Sequence, residues 1–254
     1  MTTEPEAGSR QNDMNLIGHL AELRLRLIKG LVFICVGCLL CWNFAGTIMA
    51  VLLRPALKAL PSGQGLVYTG LQDGFLITFK TSLWAGFLVS SPLWLYQLWA
   101  FIAPAMTRNE KKSANSMAAL GALLLLAGAS FSYYLVLPLV FDFFLTFSSD
   151  HLQPLLAIDR YYSLTLSMVL AFALSFQLPL FLMFLGHLGL IGPDTLRRNR
   201  RYAILAAFII GAFLTPPDVV SQVILAAALL ALYELSIILM RPARDGSGNE
   251  DEGA

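Results

Sequence analysis

The chain has 254 residues, of which 57% are hydrophobic and 13% charged, against about 25% charged in an average soluble domain. With a mean hydropathy of +0.69 it lacks the polar groups to cover a soluble globule, so lipid is the solvent for most of it. A net charge of +1 argues against a nucleic-acid binder working through a general basic field, which needs clustered excess Lys and Arg.

In chain order, residues 1–14 open as a polar stretch with Pro5, Gly8 and no periodicity, and read as a disordered cytoplasmic tail. From Leu16 the apolar positions Leu16, Leu20, Leu23 and Leu27 recur at spacings of four, three and four, predicting an amphipathic helix at the interface ahead of the first span. A crossing needs about 20 mainly apolar residues for about 30 Å of hydrocarbon. Charge-free stretches place spans at Gly30–Leu53, Thr81–Thr107, Ser113–Phe141 and Tyr161–Pro193. Two further candidates are short: Tyr202–Pro217 has 16 uncharged residues, and Val219–Met240 is interrupted by Glu234. They read as two short spans joined by the tight Thr215-Pro216-Pro217-Asp218 turn, the alternative being a re-entrant hairpin.

The expectation is an all-α polytopic membrane protein. Residues 15–240 form one domain of six transmembrane helices in a curved bundle, the last two short, followed by a disordered, acidic cytoplasmic tail at 241–254. Pro92 and Pro179 fall inside spans and bend them, while Ala114, Ala118 and Ala122 form a small-xxx-small packing stripe. The connections 54–74 and 138–162 make the external face, with Phe141, Phe143, Phe144 and Phe147 as a belt or cap.

Lys and Arg set the orientation. Arg10, Arg24, Arg26 and Lys29, then Arg108, Lys111 and Lys112, then Arg197, Arg198, Arg200 and Arg201, then Arg241 and Arg244 share one side, leaving Arg54, Lys58, Lys80 and Arg160 for the other. Both termini are therefore expected in the cytoplasm.

Enzyme chemistry finds no support in the sequence. There is no Gly-x-x-x-x-Gly-Lys phosphate loop. His19, His151 and His187 lack partners at metal-ligand spacing. Cys35, Cys38 and Cys41 lie in an apolar helix without the fourth cysteine of an iron–sulfur run, and read as packing. No cofactor is expected. What stands out is acid among bases: Glu22 beside Arg24 and Arg26, and Glu110 beside Arg108, Lys111 and Lys112. Either these carboxylates are in local ion pairs, worth about 0–1 kcal/mol when exposed, or they accept guanidinium groups bidentately and so prefer arginine to lysine.

His19-Leu20-Ala21-Glu22-Leu23-Arg24-Leu25-Arg26-Leu27 resembles the HLxELRxRL opening of the TatC family, the multispanning core subunit of the twin-arginine protein translocase. Ser91-Pro92 and Tyr96 to Pro104, on to Glu110, look like that family's second helix and following loop. Arg197–Arg201, Thr215–Asp218, Ser221-Gln222 and Leu232-Tyr233-Glu234 look like its fifth helix, its turn and its ending.

The resemblance implies a signal-peptide receptor and assembly core that exports folded proteins with the proton-motive force. It would bind twin-arginine signal peptides through Glu22 and Glu110, with Arg24 and Phe101 shaping the patch. Pro55, Asp218 and Gln222 match positions important in the family. At Gln177 the family usually carries a glutamate; a glutamine hydrogen-bonds without ionising, either toward a partner or within its own bundle. The implied partners are TatA-type and TatB-type single-span subunits, further copies of the chain and the lipid bilayer, with no nucleic acid, in the bacterial cytoplasmic (inner) membrane. The alternative is a small secondary transporter, which predicts an inverted repeat and midplane ionisable groups; the sequence displays neither.

Overall fold

The computed structural model describes residues 6–59, 66–102, 114–147, 156–215 and 218–240, with side chains from Ala21 onward except at Ala59 and Ala114. The expected tail at 241–254 and the loop carrying Glu110 lie outside them. Among the described residues the backbone is helical apart from turns and one isolated parallel bridge, Val67 with Ala157.

Helix α1 runs unbroken over Glu6–Trp42, 37 residues or about 55 Å. It starts within the stretch read as a tail. The amphipathic segment is therefore not a separate helix lying in the interface: it is the lower part of one rod. The reason is phase. Leu16, Leu20, Leu23 and Leu27 continue at the same spacing through Gly30, Ile34, Gly37 and Cys41, of which Gly30, Gly37 and Cys41 are buried. The apolar span is Ala21–Trp42, earlier than the charge-free window suggested. Arg24, Arg26 and Lys29 are tolerated at its end because long side chains reach back to the interface.

The chain turns at Asn43–Phe44 into α2 (Ala45–Ala59), so Arg54, Pro55 and Lys58 belong to a helix and not to a loop. Helices α3 (Asp73–Val89) and α4 (Ser91–Ile102) form one apolar path bent by 55° at Ser90. Pro92, as expected, supplies the cause: it has no N–H for the Leu88 carbonyl. The Trp94 indole N–H donates to the Phe87 carbonyl at 3.0 Å and the two rings stack at 4.8 Å, holding the bend.

Next come α5 (Ala114–Phe131), a π-helical turn at Ser132–Val136, and α6 (Leu137–Leu145). The π turn falls just before Pro138, whose missing N–H disturbs the regular ladder there. Helices α7 (Ile158–Ser175) and α8 (Leu178–His187) are separated by a break at Phe176–Gln177, next to Pro179. Gly189, at φ 71°, closes α8: Leu190 N–H reaches the Leu185 carbonyl and Gly189 N–H that of Gly186, a left-handed termination suited to glycine. Helices α9 (Pro193–Arg198), α10 (Arg200–Leu214) and α11 (Val219–Leu239) complete the order.

The last pair was expected to be short throughout, and only α10 is. Its 15 residues cover about 22 Å. Helix α11, with 21 residues, reaches about 31 Å and spans in full. Glu234 does not stop it, because the Arg200 guanidinium meets that carboxylate at 2.8 Å.

Helix α7 lies at the centre, burying Tyr162, Met168 and Phe172 against Val136, Leu137 and Val140 of the π turn and α6 and against Leu225 of α11. Phe141 joins this core, stacked on Tyr161 at 5.2 Å, while Phe143, Phe144 and Phe147 stay exposed. A second cluster unites Leu95 and Trp99 of α4 with Ala118, Ala122 and Leu180, which is the contact the alanine stripe predicted. Many large apolar side chains point outward, among them Leu31, Leu39, Leu123, Phe181 and Phe213; in water this would be an aggregation surface, in lipid it is ordinary. Helices α1 and α3 cross with backbones nearly touching: a Cβ added to Gly37 would sit 2.7 Å from the Gly86 carbonyl oxygen.

Candidate functional site: the groove between α1 and α4

The stripe that keeps α1 continuous brings Leu23, Leu27, Leu31 and Ile34 opposite Trp94, Leu98 and Phe101 of α4. Between them lies a groove of about 460 Å³, walled almost wholly by apolar side chains. Gly30 is in its floor, facing Trp94. Polar atoms enter only through Arg26 and Gln97.

Glu22 is not a wall residue and adjoins the groove through Arg26, one turn along α1. Its Oε1 accepts from Arg26 Nε at 2.9 Å and from Nη2 at 2.6 Å, an i,i+4 pair on one turn of α1. The side chains are 40% exposed for Glu22 and 28% for Arg26, so the carboxylate is approachable while the guanidinium is partly covered by the groove. For Glu22 the structure shows the local ion pair, with Oε2 left without a partner among the described residues; Glu110 lies outside them.

Of the residues singled out from sequence, Glu22 and Phe101 come to this one place, joined through Arg26. Arg24 is exposed on α1 and does not line the groove. Glu110 lies outside the described residues. Sequence reasoning missed Arg26, Trp94, Gln97 and Leu98 as groove residues. The i,i+4 spacing of Glu22 and Arg26 was a usable signal; the groove wall on α4 was not, because it depends on how two distant helices meet.

The remaining candidates lie elsewhere and have structural partners. Pro55 is buried in α2. Lacking an N–H, it leaves the Val51 carbonyl without its helical donor, and the Tyr133 hydroxyl supplies one at 2.7 Å. Tyr161 and Tyr162 likewise donate to the carbonyls of Leu52 and Met49, at 2.5 and 2.8 Å. Gln177 Nε2 donates to the Gly121 carbonyl at 2.7 Å, tying the α7–α8 break to α5. Asp218 caps α11 by accepting from the Ser221 N–H at 2.6 Å. Gln222 Nε2 reaches the Phe208 carbonyl at 3.1 Å, joining α11 to α10.

Comparison with known proteins follows the same lines. Residues 18–227 match the family model described as Sec-independent protein translocase protein (TatC). The chain is 37% identical over 236 residues to the Sec-independent protein translocase protein TatC of Desulforapulum autotrophicum, covering 93% of this chain and 87% of that one. It is 34% identical to that of Escherichia coli (92% and 90%) and 39% identical to that of Aquifex aeolicus (89% and 94%). A crystal structure of the twin-arginine translocase receptor TatC in DDM superposes with a TM-score of 0.79 at 38% identity, over 88% of this chain and 99% of that one. The apolar spans, the groove and these similarities agree: the chain is a polytopic membrane protein belonging to the TatC family of Sec-independent protein translocases.

Proposed function

We propose that this chain is the receptor for twin-arginine signal peptides and the assembly core of a translocase that exports folded proteins. The observation that carries the reading is the Glu22 carboxylate beside the α1–α4 groove, already accepting two N–H groups of one guanidinium. A carboxylate so placed can take the planar fork of an incoming arginine; an ammonium group offers no such match. The apolar groove behind it suits the hydrophobic part of the same peptide. Glu110 is the second carboxylate of this reading, with Arg24 and Phe101 bordering the patch. Pro55, Gln177, Asp218 and Gln222 serve assembly by fixing the helix breaks and ends described above.

Both termini face the cytoplasm in this reading, and the chain crosses the bacterial inner membrane six times, α10 being a short crossing where the bilayer thins. TatA-type and TatB-type single-span subunits and further copies of the chain dock on the outward apolar faces. The proton-motive force drives transport; one charge moving through 100 mV is worth about 2.3 kcal/mol. A secondary transporter is not favoured, since the relatives are protein translocase components.

The test is a binding titration of the purified chain with a fluorescent twin-arginine peptide and its twin-lysine analogue. The lysine peptide is expected to bind roughly tenfold more weakly, and Glu22→Ala and Glu110→Ala each to lose about tenfold or more, the range of a charge-assisted hydrogen bond. Equal binding of the two peptides overturns the reading.

A further inference from the structure

On the same side of the chain as Glu22, by the distribution of basic residues, α9 and α10 meet at a second, polar hollow of about 550 Å³ that is open at the surface, all its lining side chains being exposed. Its walls are Asp194, Thr195, Arg198, Asn199, Arg201 and Tyr202. The four arginines of this corner divide into two kinds. Arg197 is paired with Asp194 at 3.3 Å and Arg200 with Glu234 at 2.8 Å. Arg198 and Arg201, the two that line the hollow, have no carboxylate partner among the described residues; Arg201 only lies over the Tyr202 ring, 5.0 Å from its centre. The break at Asn199, which ends α9 and starts α10, therefore sorts the arginines, tying two to acids and turning two guanidinium groups into one pocket. Asp194, the one acid in the wall, has its charge offset by Arg197.

We propose that this hollow binds the phosphate of an anionic phospholipid, with Arg198 and Arg201 on the phosphate oxygens and Thr195 and Asn199 on the neutral part of the headgroup. Two features select a lipid over a free anion. Helix α10 is only 15 residues long, about 22 Å against about 30 Å of hydrocarbon, so its first turn is drawn to the depth of lipid phosphates, where Tyr202 also belongs. And Leu205 and Phe208, four and seven residues beyond Arg201 on the same helical face, are exposed at 59% and 39%: an apolar track leads directly from the phosphate pocket into the membrane, as an acyl chain requires.

The experiment is native mass spectrometry of the full chain in dodecyl maltoside, with added phosphatidylglycerol, phosphatidylcholine or inorganic phosphate. The wild type is expected to retain phosphatidylglycerol in preference to phosphatidylcholine. Arg198→Gln with Arg201→Gln should lower that retention about tenfold, as expected for losing charge-assisted hydrogen bonds. Arg198→Lys with Arg201→Lys, which keeps the charge and protects the comparison if the glutamine variant does not fold, should fall between. Arg197→Gln, which removes a cation already paired, should change retention less than twofold. Retention by the Arg198/Arg201 glutamine variant equal to wild type overturns the proposal, and so does an equal loss in Arg197→Gln, which would mark a general charge effect. Adducts of inorganic phosphate without lipid adducts overturn the lipid assignment and give the hollow to a free anion. The peptide-binding titration of the same variants is expected to be unchanged, so failure here leaves the receptor reading standing.

Discussion

Glu22 and Arg26 form a pair whose two members have different futures when a cationic peptide arrives. The pair is half-exposed and one turn apart, so holding it together is worth at most about 1 kcal/mol. In the receptor reading proposed above, an arginine on an incoming peptide would compete for the same carboxylate, and Arg26 would yield or share it through Oε2. Removing the resident guanidinium should therefore help: Arg26→Gln is expected to tighten twin-arginine peptide binding by up to about fivefold, the equivalent of that 1 kcal/mol, measured by fluorescence anisotropy. Weaker binding in this variant would mean that Arg26 itself touches the peptide. The acidic residue was legible from sequence because charge of the unexpected sign stands out among bases; its occupancy by Arg26 was readable only as a spacing. Gln177 and Asp218 show the limit from the other side. Both were singled out by resemblance, yet the atoms they engage, the Gly121 carbonyl and the Ser221 N–H, include one 56 residues away that no local pattern reveals.

Helix α2 shows how an element is positioned by what it lacks. Proline in its last turns frees a carbonyl, and three tyrosine hydroxyls from the π turn and α7 fasten the carbonyls of Met49, Val51 and Leu52. If Tyr133 serves the carbonyl that Pro55 abandons, the two residues are energetically coupled. Tyr133→Phe should destabilise the wild type by about 1 kcal/mol, the usual net value of such a bond, and appreciably less in a Pro55→Ala background, where residue 55 again has an N–H for Val51. Thermal unfolding of the four proteins of the cycle in detergent reads this directly; strict additivity would dissolve the coupling. Helices themselves were legible because apolar runs of this length have few alternatives, and Pro92 and Pro179 marked the bends. Boundaries were not, since charge-free windows misjudge helix ends: basic residues snorkel into the first span, and Glu234 is neutralised by an arginine 34 residues earlier. The break at Asn43–Phe44 had no comparable signal, lying inside one apolar run, and α2 carries on past the end of that run through Arg54, Pro55 and Lys58.

At the scale of the molecule, basic residues and helix ends divide the chain into two faces. The segment 66–72, the start of α3 and the start of α7 belong to one. They are stitched by the Val67–Ala157 bridge and by the Thr69 hydroxyl, which contacts both Asp73 and Asp159 at 3.1 and 3.3 Å. The α9–α10 corner belongs to the other. With Cys35, Cys38 and Cys41 replaced, Leu71→Cys is expected to react with a membrane-impermeant maleimide added to intact cells, and Asn199→Cys only after the membrane is opened. Labelling of both from outside would break the orientation derived from Lys and Arg. The similarity to the TatC structures extends over most of the chain.

At the contact between Gly37 and Gly86 the two rods meet backbone to backbone with no side chain between them, so a tilt of α1 against α3 would pivot there. Because α1 is unbroken from there to Glu22, fifteen residues or about 22 Å away, a swing of about 5° carries the carboxylate about 2 Å along that lever. Any tilt of α1 at this crossing would reach the Glu22 end undiminished, because no break interrupts the helix between them.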